Sequence, residues 1–154
     1  MNADDVLVIG YGNALRGDDA VGRRTAECLA ADGRLPGARI DVCHQLTPEL
    51  AADIAAARLV VLVDARENDG TPGDVRLEQV VGCCRPLASH TVDASALVDL
   101  AIRLYGHAPP VILVSVTAER FDLGADLSPV VDAILPHVVD TVVGVVDNHP
   151  PATA

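Results

Sequence analysis

Apolar runs alternate with amphipathic stretches along these 154 residues, and their spacing predicts most of the secondary structure. Residues 6–9 (VLVI) form a short continuous apolar run, the pattern of a buried strand. Residues 19–31 have Val21, Thr25, Cys28 and Leu29 recurring on one helical face, and Gly33 with Leu35-Pro36-Gly37 ends that helix. A second strand is expected over residues 38–43. Thr47-Pro48-Glu49 combines an N-cap, a first-turn proline and an acid favoured by the helix dipole, so a helix should run to about residue 56. Residues 58–64 (RLVVLVD) read as a central strand that ends on an acid. Thr71-Pro72-Gly73 is a turn, residues 74–81 an edge strand and residues 82–90 a loop.

The second half continues the pattern. Residues 93–105 place Leu97, Leu100, Ala101 and Leu104 on one stripe, with Gly106 closing the helix and Pro109-Pro110 just beyond. Residues 111–116 are the last core strand. Ser128-Pro129 should cap a final helix over residues 130–146, with Val130, Ile134, Val138, Val142 and Val145 on its apolar stripe. Pro136 lies inside it and predicts a kink or break near residues 132–135. Strands alternating with helices imply an α/β sandwich. Residues 1–146 read as one domain without repeat or linker, and the Pro/Ala-rich tail 147–154 as frayed.

Composition narrows the function. The apolar half of the chain is mostly Ala, Val and Leu, with one Phe, two Tyr and no Trp, which suits a Val-rich parallel sheet and offers no stacking platform for bases. A net charge of −11 argues against nucleic acid and against anionic membrane surfaces. The N-terminus lacks the basic and apolar regions of a signal peptide. No apolar run approaches the roughly 20 residues of a membrane span. Cys28, Cys43, Cys83 and Cys84 contain no Cys-x-x-Cys pair, so reduced thiols in a cytoplasm are expected and no role is assigned to them. No heptad pattern asks for a second copy, so a monomer is expected.

The chemistry concentrates at residues 6–22, VLVIGYGNALRGDDAVG. Gly10-Tyr11-Gly12-Asn13 follows the first strand, and Asp18 and Asp19 stand where a helix begins. The dinucleotide fingerprint requires a third glycine where Leu15 stands, and two acids occupy the place where a phosphate needs positive potential. A site for a cation or a proton fits better. Helix capping alone would also account for these acids, at roughly 0.3–1 kcal/mol each. Asp64 ends the central strand and His90 lies in the loop before the third helix. In a doubly wound sheet these junctions meet along one edge. Asp19, Asp64 and His90 could then bind a divalent metal or perform acid/base work. Taken singly, a strand-end Asp is commonly a cap, and a loop His is commonly just exposed.

The segment GYGNALRGDDAVG resembles the N-terminal motif of the hydrogenase maturation proteases. The likeness continues through VVLVDA at residues 60–65, Ser89-His90, the strand at 111–119 and Leu127-Ser128-Pro129. The resemblance implies a three-layer α/β/α sandwich with a mostly parallel central sheet, phosphorylase/hydrolase-like. It implies an endopeptidase, formally aspartic-type, that removes the C-terminal extension of a nickel–iron hydrogenase large subunit after nickel insertion. The partner is then the large-subunit precursor. The nickel-contacting and catalytic positions fall on Asp19, Asp64 and His90, with Asp18 and His44 as further candidates. The implied ion is Ni²⁺ supplied by the substrate, and Zn²⁺ or another divalent ion suits the same ligands. Where many relatives carry an Asp-Gly-Gly-Thr loop and a glutamate at the first metal position, this chain has His44-Gln45-Leu46-Thr47 and Asp19. His44 serves equally as a ligand, as a base or as an exposed strand-end residue.

Two other classes share these residues. A non-proteolytic, nickel-dependent binding module or assembly chaperone would recognise the immature subunit without cutting it. A small hydrolase acting on a free metabolite would need another convergent polar set, and the sequence offers none. No Gly-x-Ser-x-Gly elbow or His-Glu-x-x-His motif is present.

Overall fold

The computed structural model describes residues 5–67, 70–82 and 92–151. Five strands build one sheet: β1 (Val6–Tyr11), β2 (Arg39–Cys43), β3 (Leu59–Arg66), β4 (Val75–Gln79) and β5 (Val111–Thr117), in the order β2-β1-β3-β5-β4. β1, β2, β3 and β5 pair in parallel, and β4 closes the edge antiparallel to β5. Four helices flank the sheet: α1 (Val21–Asp32), α2 (Leu50–Ala56), α3 (Ala94–Tyr105) and α4 (Pro129–Asp147). This is the expected α/β sandwich with a mostly parallel sheet.

Period-two alternation in the strands separates two cores. Val6, Val8, Val61, Val63, Val114 and Val116 pack with α1 and α4. Leu7, Ile9, Val60, Leu62 and Val111 pack with α2 and α3. Fully covered parallel strands account for the continuous Val/Ile/Leu runs.

Several helix details depart from the sequence pattern. α1 is preceded by a 3₁₀ turn over Gly17–Ala20, so the α-helix proper begins at Val21, not Asp19. α2 begins at Leu50, although amide bonds from Leu50 to the Thr47 carbonyl and from Ala51 to that of Pro48 start the turn where it was expected. Gly33 and Gly106 end α1 and α3 in the left-handed conformation, as their positions predict. Leu104 is exposed, and Val98 replaces it on the buried face of α3.

α4 runs unbroken through Pro136 for 19 residues. Its buried side is Val131, Leu135, Val138, Val139, Val142, Val143 and Val145, which leaves Val130 exposed. Without a break, α4 is long and apolar enough by composition to cross a membrane, at mean hydropathy 1.6. The sequence pattern missed this because it divided the run at Pro136. Here α4 lies in the core against α1. Beyond it, the Arg58 guanidinium donates to the His149 carbonyl and ties down the start of the tail.

Candidate functional site

β1 leads outward to β2, and the chain then returns across β1 to β3. The sheet order therefore reverses between β1 and β3, and the crevice beyond the carboxyl ends of such strands is where open α/β sheets bind ligands. Gly10 lies opposite Val63 in the parallel register, so Tyr11, the last residue of β1, stands beside Asp64 at this switch point; β3 does not end on Asp64 as the sequence pattern predicts but pairs with β5 as far as Arg66. Alternation places Tyr11 and Asp64 on the α2/α3 side, in line with Ile9 and Leu62.

Close backbone packing brings the first helix to this edge. A Cβ on Gly22 would stand 2.2 Å from the Val63 carbonyl oxygen and 2.7 Å from that of Tyr11, so only glycine lets α1 lie against β1 and β3. Gly12 has φ +143°, and a Cβ there would meet the Asp19 carbonyl oxygen at 2.0 Å. The turn thus folds back on Asp19, whose Oδ2 accepts the Asn13 N–H at 2.7 Å.

Asp19 and Asp64 are electrostatic neighbours. Burial pushes the Asp64 carboxyl up to about 7, and the negative charge of Asp19 pushes in the same direction. Two hydrogen bonds oppose this rise: the Ala65 N–H donates to Oδ1 at 2.8 Å, and the Tyr11 hydroxyl donates to the same carboxylate. Burial and the neighbouring charge of Asp64 keep the Tyr11 phenol protonated far above its ordinary range. A carboxylate shielded from water and facing a second negative charge favours a nearby cation or a bound proton.

Asp18 serves differently. It is fully buried, and its oxygens accept three backbone N–H groups: Glu119 at 2.8 Å, Arg120 at 3.1 Å and Ser128 at 2.7 Å. The Ser128 hydroxyl adds a bond of 2.7 Å to Oδ2. Asp18 therefore clasps the 3₁₀ turn to the segment between β5 and α4, and its oxygens are engaged there. Ser128 stands at the expected N-cap of α4, but its side chain makes no cap bond because it turns to Asp18.

A cleft of about 500 Å³ opens beside Asp64, lined by Tyr11, Leu46, Glu78, Val80, Val92 and Asp93 among others. Asp93 caps α3, accepting the Ala96 N–H at 2.8 Å. Asp19 lies in a second hollow of about 290 Å³ with Arg16, Ala65, Glu67 and Phe121. Arg66 reaches from β3 to the Ser115 hydroxyl at 2.5 Å and to the Thr117 hydroxyl, bracing the strand ends. His44 is exposed just beyond β2, where Cys43 accepts the Gly12 N–H at its carbonyl. His90, Cys83 and Cys84 lie outside the described residues. Among the described residues, no three His, Cys, Asp or Glu side chains group as metal ligands.

Asp19 and Asp64 thus lie within range of each other's charge but line separate hollows, and Asp18 is committed to the clasp. Sequence reasoning missed Tyr11 as the partner of Asp64. The two meet through the parallel register of β1 with β3, which no local sequence signal carries.

As a sequence, the chain matches no protein-family model and no curated protein. Its fold matches solved structures along nearly its whole length. The [NiFe] hydrogenase maturation protease HycI of Thermococcus kodakarensis superposes with a TM-score of 0.74 at 22% identity, covering 94% of this chain and 93% of that one. The hydrogenase maturating endopeptidase HybD of E. coli gives 0.73 at 22% identity, covering 96% and 93%. The hydrogenase 2 maturation peptidase of a Thaumarchaeota archaeon gives 0.71 at 24% identity, covering 92% and 97%. Likeness at such identities establishes a shared fold.

Proposed function

We propose that this protein is an endopeptidase that removes the C-terminal extension of a nickel–iron hydrogenase large-subunit precursor once nickel has been inserted. The observation that carries the reading is the fold, shared along nearly the whole chain with three maturation peptidases, with Asp64 facing a cleft at its switch point and Asp19 within range of its charge. The GYGNALRGDDAVG segment that resembles their motif builds this edge of the sheet.

Nickel belongs to the substrate in this account. Asp19 and Asp64 offer oxygen donors, and a docked cation would relieve the repulsion between them. A precursor without nickel leaves that repulsion in place and docks less well, so the pair reads metal loading. Oxygen ligands alone select poorly among divalent ions, so Zn²⁺ or another divalent ion suits the pair as well. His90 is the proposed nitrogen donor.

The Asp64 carboxylate, which lines the cleft, is the general base in this reading. It accepts a proton from water as the water oxygen attacks the scissile carbonyl. The carbon–nitrogen bond then breaks and the released amine takes up the proton. Tyr11 keeps the carboxylate oriented throughout.

Asp19→Ala, Asp64→Ala and His90→Ala, each added to nickel-loaded precursor, are expected to leave the C-terminal extension attached while the fold persists. Normal processing by all three variants would refute the site. Stable capture of the precursor by the wild-type protein without cleavage would favour the binding-module reading.

A further inference from the structure

We propose that the outer edge of β4 binds the precursor's C-terminal segment as an added sheet strand, which leads it into the cleft at Asp64; this rests on the function proposed above. The register of β4 determines which backbone groups are available. The Thr117 N–H donates to the Asp74 carbonyl at 2.9 Å, and the Val80 N–H donates to the Val111 carbonyl at 2.8 Å. Both bonds join residues that pair across the two strands, which continues the register Arg76 with Ser115 and Glu78 with Leu113. Hydrogen-bonded pairs alternate along an antiparallel ladder. Asp74, Arg76, Glu78 and Val80 therefore bond inward to β5, while the N–H and C=O groups of Val75, Leu77 and Gln79 face away from the sheet.

Among the described residues no strand covers that side, since β4 ends the strand order. Exposure agrees: Leu77 is 55% and Val81 73% accessible. β4 contains no proline, and its charged side chains, Arg76 and Glu78, belong to the residues that bond inward to β5. A row of main-chain groups with no partner strand among the described residues is a template for another extended chain.

The occupant follows from where the edge leads. Glu78, Gln79, Val80 and Val81 form one wall of the cleft that contains Tyr11 and Asp64. Alternation puts Glu78 on the same sheet face as its partner Leu113, which also lines the cleft. A chain paired with Leu77 and Gln79 thus runs along the mouth of the cleft, and its next residues can turn in toward Asp64. The C-terminal extension of the substrate is the chain that must pass Asp64, and an extended backbone exposes its scissile carbonyl to attack.

The test is pulsed amide hydrogen exchange on the wild-type protein, alone and within the first seconds after mixing with excess nickel-loaded precursor, with complex formation followed separately by native mass spectrometry. In the free protein the Leu77 and Gln79 amides should exchange fast, and those of Glu78 and Val80 slowly. In the complex, Leu77 and Gln79 should become protected. Gln79→Pro, which removes an outward N–H and spares the β5 ladder, should weaken precursor binding about tenfold, the loss expected for one hydrogen bond. A complex that forms without protection of Leu77 and Gln79 would overturn this inference and leave the proposed function standing. Failure of both the variant and the wild-type protein to bind precursor would overturn the function, and this inference with it.

Discussion

The Tyr11 hydroxyl donates to the Asp64 carboxylate, linking the last residue of β1 to β3 at the point where the sheet order reverses. That bond favours the charged form of a carboxyl that burial and Asp19 both push toward neutrality. Tyr11→Phe should therefore move the Asp64 midpoint further up from about 7. The carboxyl-carbon NMR shift, followed against pH in the presence of a chelator, reads this directly. An unchanged or lowered midpoint would mean that the hydroxyl contributes nothing to the charge state.

Asp64 should also cost the apo-protein stability in a defined pH window. Its folded-state midpoint lies above the ordinary 3.8, so the folded chain holds this proton more tightly than the unfolded chain does. The stability linked to that proton is fully present below pH 3.8 and is lost as pH rises to about 7. Asp64→Asn keeps the site neutral throughout. Its thermal midpoint should match wild type near pH 4, exceed it by several degrees at pH 7 and hold that gap above. Melting curves with a chelator check this, and a gap that shrinks with rising pH would contradict it.

Asp18 and Asp19 are adjacent in sequence and should separate cleanly by experiment. Asp18→Ala orphans the buried Ser128 N–H and hydroxyl and the half-buried N–H groups of Glu119 and Arg120. At about 1–3 kcal/mol for each unsatisfied group, the loss should exceed roughly 3 kcal/mol and lower the melting temperature by about 6–12 °C. Asp19→Ala loses one bond, to Asn13, and should cost about 0.5–2 kcal/mol. Its effect should fall on processing. Equal destabilisation by the two substitutions would contradict this division of labour.

Gly22→Ala tests the packing that delivers the 3₁₀ turn to the site. Its Cβ would meet the Val63 carbonyl oxygen at 2.2 Å, and both partners are backbone that cannot rotate away. α1 must shift outward, at about 1–3 kcal/mol or more, carrying Asp19 with it. Processing should fall together with the melting temperature.

Much of this fold is legible in the sequence because its signals are local. The runs VLVI and LVVLV can be little else than covered strands, and Gly33 and Gly106 mark helix ends through their backbone freedom. Asp64 stood out because an acid ending an apolar strand needs a reason. What stayed hidden depends on long-range pairing. The partners of Asp18 lie 101 to 110 residues away, so its clasp looks in sequence like a helix cap. Tyr11 meets Asp64 only through the register of β1 with β3. Pro136 misled because core packing along α4 sustains the helix through it.

The central claim is nickel-gated cleavage, and the intact mass of a large-subunit precursor tests it most directly. Nickel-loaded and nickel-free precursor are each weighed before and after incubation with this protein. Nickel gating predicts loss of a C-terminal peptide from the loaded form alone. An unchanged mass of the loaded form, or equal trimming of both, would contradict it.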